Sequence, residues 1–262
     1  MANFNPNELI LDRVRSVTYH DLSTNKMLMR MTSLEDVSLN TTAEGDDVTD
    51  NVGALITTIY RAKKATLSGS NSLISLDLAA VQYGTEKKIG TATDKITDYT
   101  YEILTVEGGK VTLKNTPKSA VKYIYTIVDK GIGKTFSAGT SATATEFVIS
   151  GKSITVPTSV SNGSQVFVEY DYEAENAVEV KNSASNFPEA GSLVVYVYFR
   201  DVCNENLKYS GKIICPKAKI DPSSIEFALN STGKHPFTFN MMKDYCSEAG
   251  DDELFTIIAS EE

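Results

Sequence analysis

Hydrophobic and polar positions are most clearly organised in residues 34–84. Alternating apolar side chains begin a short strand at Leu34. Residues 41–53 then contain four carboxylates and almost no apolar side chain, which predicts an exposed loop. Residues 54–60 carry β-branched or apolar side chains on both alternating faces, and the run continues to Leu67. This pattern predicts a strand that is covered on both sides.

The one helix signal in the chain covers residues 70–83. Ser70 or Asn71 can cap it, because a side-chain oxygen there accepts from a free amide of the first turn. Gly84 supplies the left-handed residue that ends many helices. Such an apolar helix is expected to pack against a sheet or a neighbouring subunit. The side chains expected to make this contact are Leu73, Ile74, Leu78 and Val81.

The remaining sequence is rich in short alternating segments that are typical of strands. Glycine turns at Gly108-Gly109 and at Ser150-Gly151 predict two tight hairpins. Residues 192–201 are apolar on both alternating faces, which predicts a strand in the middle of a sandwich or at a subunit interface. Residues 207–214 are predicted to return antiparallel to it.

Together these patterns predict a mainly β protein, an antiparallel β-sandwich with one short flanking helix. We expect residues 1–93 to form the N-terminal part of the sandwich and residues 183–262 to form its C-terminal part. Residues 94–182 are expected to be an inserted or elaborated β-subdomain, because strand signals there follow one another closely.

Composition narrows the possible functions. The formal net charge is −9, which argues against a surface that binds nucleic acid, because such a surface needs Lys and Arg to neutralise phosphates. The sequence has neither a basic start followed by an apolar leader nor an apolar run of about 18 residues. We therefore expect no signal peptide and no membrane anchor, and synthesis in a cytoplasm.

No motif in the chain predicts catalysis. Residues 131–136, GIGKTF, contain the Gly-Lys-Thr of a phosphate-binding loop, but the motif also needs a glycine where Val128 stands. We interpret this segment as a turn. The residue types that bind zinc occur without the paired cysteine spacing of a zinc site; they are Cys203, Cys215, His235 and Cys246. We predict that the protein is not an enzyme and has no cofactor and no metal.

Two regions carry a resemblance to a known family. One is SLEDVSLNTTAEGDDVTDNVGALITTIYRAKKATLSGSNSLISLDLAAVQYG, residues 33–84, and the other is GSLVVYVYFRDVCNENLKYSGKIICPKAKIDPSSIEFAL, residues 191–229. The closing PFTFNMMKDYC and ELFTIIAS belong to the same pattern. The chain resembles the major tail (tail tube) proteins of long-tailed bacteriophages, which are related to the tube proteins of contractile injection systems.

The resemblance implies a structural virion protein. Six subunits of such proteins pack into a ring, rings stack into a hollow tube, and inner strands from all six subunits close into one barrel. The tube is the channel for genome ejection, and DNA passes through without specific binding; an acidic wall would oppose its adsorption. Implied partners are further copies of the chain, the tape measure, the tail terminator, baseplate or tail-tip proteins and, where a tail contracts, the sheath.

Two sets of residues receive roles from this resemblance. The predicted loop is expected to reach the adjacent ring, through Thr41, Thr42, Glu44, Asp46, Asp47, Asp50 and Asn51. Inner-barrel strands that line the lumen are expected to contribute Ser38, Asn40, Thr57, Ile59 and Arg61.

An alternative from another class stays open at this point. The same strand pattern fits a monomeric Ig-like β-sandwich that serves as a binding or decoration module of a virion. That alternative predicts a loop without partner contacts and a monomer that remains stable at high concentration.

Overall fold

A computed structural model describes residues 8–202, 208–223, 233–245 and 252–261. Within these residues the protein is mainly β, with one short helix, as the sequence predicts. The chain divides into two compact units. Unit 1 joins the described residues up to Lys87 with those from Val180 onward, and unit 2 is Lys88–Glu179.

The elements follow one another in chain order. The first part of unit 1 contains β1 (Leu9–Asp21), β2 (Met27–Met31), β3 (Leu34–Thr49), β4 (Leu55–Asn71) and helix α1 (Leu76–Tyr83). Unit 2 contains β5 (Lys88–Ile89), β6 (Ile96–Thr105), β7 (Lys110–Thr112), β8 (Tyr123–Val128), β9 (Gly131–Ala138), β10 (Glu146–Ser150), β11 (Ser153–Thr155), β12 (Gln165–Ala174) and β13 (Val178–Glu179). The second part of unit 1 contains β14 (Ala190–Asp201), β15 (Lys208–Ile220), β16 (His235–Met241) and β17 (Thr256–Glu261).

Unit 1 is built on one eight-stranded sheet. Its strand order is β2-β1-β14-β15-β16-β4-β3, and β17 pairs with β15 beside this path. The predicted strand at residues 192–201 is confirmed as β14, and β15 returns antiparallel to it, with Leu193 opposite Cys215. The face of β14 with Leu193, Val195 and Val197 is buried in the core, whereas the side chains of the other apolar face are only half-buried. Buried side chains of this core include Val17, Tyr19, Leu67, Leu193 and Phe239.

The helix is shorter than the sequence predicts. It begins at Leu76, and the Ser75 hydroxyl caps it by accepting from the Leu78 N–H at 3.3 Å. Ser70 and Asn71, the predicted caps, instead belong to β4, because β3 and β16 both pair with this strand as far as Asn71. The predicted end is confirmed, since Gly84 has the left-handed φ of 62°.

The predicted acidic loop at residues 41–53 is mostly strand. β3 continues to Thr49 and pairs with β4 along almost its whole length, so a long hairpin replaces the loop. The polar sequence indicates exposure correctly, but it does not determine the backbone conformation. Pairing within a hairpin satisfies the backbone groups that point to the partner strand and leaves the side chains of both faces in solvent.

Unit 2 forms a seven-stranded sheet of order β6-β12-β8-β9-β10-β11-β7, and β5 pairs with β13. The predicted hairpin at Ser150-Gly151 is confirmed as β10–β11. The hairpin predicted at Gly108-Gly109 is wrong except for its turn. The strand before the turn, β6, pairs with β12, and the strand after it, β7, pairs with β11. Residues 131–136 form strand rather than a turn, and the preceding turn is at Asp129 and Lys130, both with positive φ.

Candidate assembly surface

The β3–β4 hairpin extends beyond the rest of its sheet. β16 pairs with β4 only from Ala65 to Asn71, and β3 pairs with β4. Residues 42–64 therefore form a two-stranded ribbon whose two outer edges have no strand partner among the described residues. We call residues 42–64 the ribbon. Unpaired edges expose backbone donors and acceptors that another chain can satisfy.

The ribbon has a β-bulge near its base and a hydrogen-bonded turn at its tip. Near its base, an extra residue on β4 shifts the register between Thr42 and Glu44, and Ala62 takes a φ of 49°, which is the signature of a β-bulge. At the tip, the Asp50 carboxylate accepts from the N–H of Val52 at 2.9 Å and of Ala54 at 2.8 Å. These bonds hold the turn in a defined shape.

Residues that pair across the hairpin share one face of it. Ser38 is opposite Ser68, Glu44 is opposite Arg61, and Asp46 is opposite Ile59. Since side chains alternate along β3, these residues lie on one face, which we call the polar face. The members of the polar face are Ser38, Asn40, Thr42, Glu44, Asp46, Val48, Thr57, Ile59, Arg61, Lys64, Thr66 and Ser68.

The two sets of residues predicted from sequence are mixed on this hairpin. All five residues predicted for the lumen lie on the polar face, together with three predicted for ring stacking, namely Thr42, Glu44 and Asp46. Thr41 and Asp47 lie on the opposite face, while Asp50 and Asn51 are at the tip. The residues predicted for ring stacking are thus distributed over both faces and the turn, because successive side chains of a strand point to opposite faces.

Acidic and basic side chains are paired on the polar face. Lys64 Nζ lies 2.8 Å from Glu44 Oε1, and Arg61 Nε lies 3.7 Å from Asp46 Oδ2. The hydrogen bond from Lys64 lowers the pKa of Glu44, and the same bond raises the pKa of Lys64. Each carboxylate is therefore compensated by a neighbouring cation, so the face is not strongly acidic. Two apolar side chains, Val48 and Ile59, are exposed among its polar residues.

Large apolar side chains are exposed on the rest of the ribbon. Val52 at the tip is 91% exposed, and Tyr60, which faces Gly45, is 73% exposed. Leu55 and Ile56 are also exposed. A two-stranded ribbon is marginally stable alone in water, and exposed apolar surface of this kind is typical of a contact that another chain covers.

Comparison with known proteins identifies the family. The model of the YomU/Tube protein family matches residues 9–252, nearly the whole chain. The chain belongs to the YomU/Tube protein family. A search of curated proteins found no match. The family is one of structural tube proteins, which agrees with a structural role in a phage tail tube.

The helix of this YomU/Tube protein contributes mainly to its own core. Leu78 is fully buried, and Val81 packs against the same core cluster. Leu73 and Ile74 lie before α1 and are exposed. Of the four residues predicted to pack the helix, only these two have side chains that are largely available to a neighbouring subunit.

The YomU/Tube chain shows no grouped metal ligands in the part that the structure describes. Cys203 and Cys246, two of the zinc-type residues noted in the sequence, lie outside the described residues. Cys215 is buried, and burial raises the pKa of its thiol to about 11. None of the helices in the described segments is long and apolar enough to span a membrane.

Proposed function

We propose that this YomU/Tube protein is a tail tube protomer that self-assembles into stacked hexameric rings. The rings form the channel through which a phage genome is delivered. The observation that carries the proposal is the ribbon, which has two unpaired edges and exposed apolar side chains. Such a surface destabilises a free subunit. When another copy pairs with it, the backbone groups gain hydrogen-bond partners and the apolar side chains are covered.

In this proposal, ribbons of neighbouring subunits pair edge to edge within a ring. Six hairpins then close into one barrel, which removes the free edges. The polar face lines the lumen, because its hydroxyl groups and paired charges remain hydrated there. Arg61 is paired with Asp46, and Lys64 is paired with Glu44. These carboxylates weaken the attraction of the two cations for phosphate, which supports passage of DNA.

The tip of the ribbon makes the contact between rings. Val52 is the apolar anchor in this contact, and Asp50 fixes the turn that presents it. The heterologous contact within a ring closes by rotation, whereas the contact between rings propagates along the tube axis. The assembled protein belongs to the virion tail, where its partners are other tail proteins at the two ends of the tube and, in a contractile tail, the sheath.

A shortened hairpin tests this proposal. Residues 43–63 are replaced by Asn-Gly, which joins the paired residues Thr42 and Lys64 through a favoured two-residue turn. The control carries the same Asn-Gly in place of Asp129-Lys130, the turn between β8 and β9. Electron microscopy and light scattering of concentrated protein measure assembly, and circular dichroism measures folding.

We expect rings or tubes from the unaltered chain and from the control, and folded protein without tubes from the shortened chain. Normal tubes from the shortened chain would contradict the role of the ribbon. Monomers near 28.5 kDa from every chain, also after addition of preformed tail tips, would favour the monomeric binding or decoration module instead.

A further inference from the structure

Unit 2 carries an exposed row of tyrosines on one face of its sheet. Strand β12 lies between β6 and β8. Tyr99 and Tyr101 project from β6, and Tyr123 and Tyr125 project from β8. Tyr99 is 74% exposed and Tyr123 is 52% exposed. Exposed aromatic side chains at this density are unusual for a solvated sheet and indicate a binding surface.

Carboxylates stand between these tyrosines on the central strand. Glu169 of β12 is opposite Tyr101, and Asp171 is opposite Tyr99, so both share the tyrosine face. Asp171 accepts from the Ser119 N–H at 2.8 Å and from the Ser119 hydroxyl at 2.5 Å. These bonds lower the pKa of Asp171, so this carboxylate stays ionised at neutral pH.

The face contains a shallow cleft of about 370 Å³. The polar and aromatic residues that line it include Tyr99, Tyr123, Tyr125, Glu169, Asp171 and Lys122. Two carboxylates against one lysine leave the lining with an excess of negative charge. Phosphate and other anions are disfavoured in such a cleft, whereas a cation gains from both the carboxylates and the aromatic rings.

We propose that this cleft binds an organic ammonium group. Aromatic faces attract ammonium ions through the negative region above the ring, and their apolar surface also covers the methyl or methylene groups of the ligand. The carboxylates of Glu169 and Asp171 supply the opposite charge. The site lies within unit 2 and uses no residue of the ribbon, so it is independent of the tube assembly proposed above.

Titration of the full chain with choline tests the proposal. The neutral 3,3-dimethylbutan-1-ol serves as an isosteric control, because it has the shape of choline without its charge. n-Butylammonium tests whether a primary ammonium, as on a lysine side chain, is accepted. We expect choline, n-butylammonium or both to shift the NMR signals of the cleft tyrosines, and the alcohol to leave them unchanged. Equal binding of the alcohol, or no binding of either cation, would overturn the proposal.

Single substitutions test whether the carboxylates and the aromatic rings of the cleft attract the cation. Glu169→Gln should weaken binding of the preferred cation by about two- to five-fold, since exposed opposite charges interact weakly. Lys122→Gln should strengthen it, because it removes the competing cation. Tyr123→Ala should weaken it by about two- to five-fold, as expected for one exposed ring. Glu107→Gln, a carboxylate at the turn after β6 and outside the cleft, should have no effect.

These variants also separate ligand binding from self-association. If Tyr123→Ala changes the mass measured by light scattering but leaves the cation affinity unaltered, the face contacts a second copy of the chain and the proposal fails. If Lys122→Gln weakens binding of the cation while Glu169→Gln does not, the carboxylate charge does not attract the ligand and the proposal also fails. Circular dichroism spectra that match those of the unaltered chain establish that each variant is folded.

Discussion

His235 Nε2 lies 2.7 Å from Gln82 Oε1, and this contact joins the first residue of β16 to the last turn of α1. His235 Nδ1 accepts from the Ser75 N–H at 3.2 Å, which places the ring hydrogen on Nε2 and makes Nε2 the donor to Gln82. The imidazole is fully buried, and burial lowers its pKa to about 4. A neutral histidine therefore holds both the beginning and the end of the helix.

Acidification should destabilise unit 1 through His235. The ordinary pKa is 6.5 and the folded pKa is about 4, so the unfolded chain binds the extra proton between these values. The free energy of unfolding should therefore fall as the pH falls from about 6.5 to about 4, by roughly 3 kcal/mol in total. This group adds no pH dependence above or below that window.

Urea unfolding of the full chain at several pH values measures this effect. His235→Asn should lower stability at pH 7.5 and remove this part of the pH dependence. His20→Asn is the control for the loss of a histidine outside this contact. Equal slopes for all three proteins would show that His235 does not contribute.

The turn after the helix should tolerate only glycine. Gly84 has a φ of 62°, and a Cβ there would overlap the carbonyl oxygen of Phe187. Gly53 has a φ of 84°, but a Cβ there would meet nothing within 4 Å. Gly53→Ala should cost only the left-handed strain of roughly 1–2 kcal/mol. Gly84→Ala should cost about 1–3 kcal/mol more, because backbone must also move.

Thermal and urea unfolding compare the two alanine variants directly. Equal destabilisation by both substitutions would mean that the close approach of Phe187 adds nothing to the free-energy cost of Gly84→Ala. A larger loss at Gly53 than at Gly84 would contradict the expected overlap of a Cβ at Gly84 with the backbone of Phe187.

Local patterns in the sequence predicted those elements whose signals are local. The alternation in β14 and the turn at Ser150-Gly151 both match the structure. Local patterns could not predict where the helix begins. Asn71 extends β4 because it pairs with Leu34 of β3 and with His235, which is far along the chain. Single-sequence periodicity contains no information about such partners.

The sequence predicted which residues of the candidate assembly surface are exposed, but it did not predict that they form a hairpin. The acidic residues around Glu44 and Asp46 indicated an exposed segment, and that exposure is present. Glycine, aspartate and asparagine are poor strand formers, so propensity favoured a loop. The cross-strand pairing with Arg61 and Lys64 became visible only when the register of the hairpin was known.

The Tyr19 hydroxyl should contribute measurably to the stability of unit 1. It lies 2.8 Å from the Glu189 carbonyl oxygen and 2.9 Å from that of Ala218, and its ring is fully buried. Desolvation raises the pKa of Tyr19 far above its usual range, so the group stays protonated and donates. Tyr19→Phe should cost about 1–3 kcal/mol, because buried carbonyl oxygens lose their partner.

Urea unfolding measures this loss, and Tyr60→Phe provides a control on an exposed ring. The control should change stability by less than about 0.5 kcal/mol. A neutral effect of Tyr19→Phe would imply that the two carbonyl groups find other donors once the hydroxyl is removed.

The ribbon tip should matter for assembly and not for folding. Val52 is 91% exposed, so Val52→Lys removes no buried contact in the free subunit and should change its stability by less than about 0.5 kcal/mol. In the proposed tube the same side chain is covered by the next ring, and a lysine there would lose hydration without a partner. Val52→Lys should therefore raise the concentration needed for tube formation.

Val128→Lys is the matched control for this experiment. Val128 is also an exposed valine beside a hairpin turn, at the end of β8 in unit 2, so the two variants add the same charge in similar local settings. Light scattering across a concentration series and electron microscopy of the products give the readout. Loss of tubes in both variants would point to a general effect of charge. Loss in Val52→Lys alone would identify the ribbon tip as the contact, since the two chains differ only in where the lysine lies.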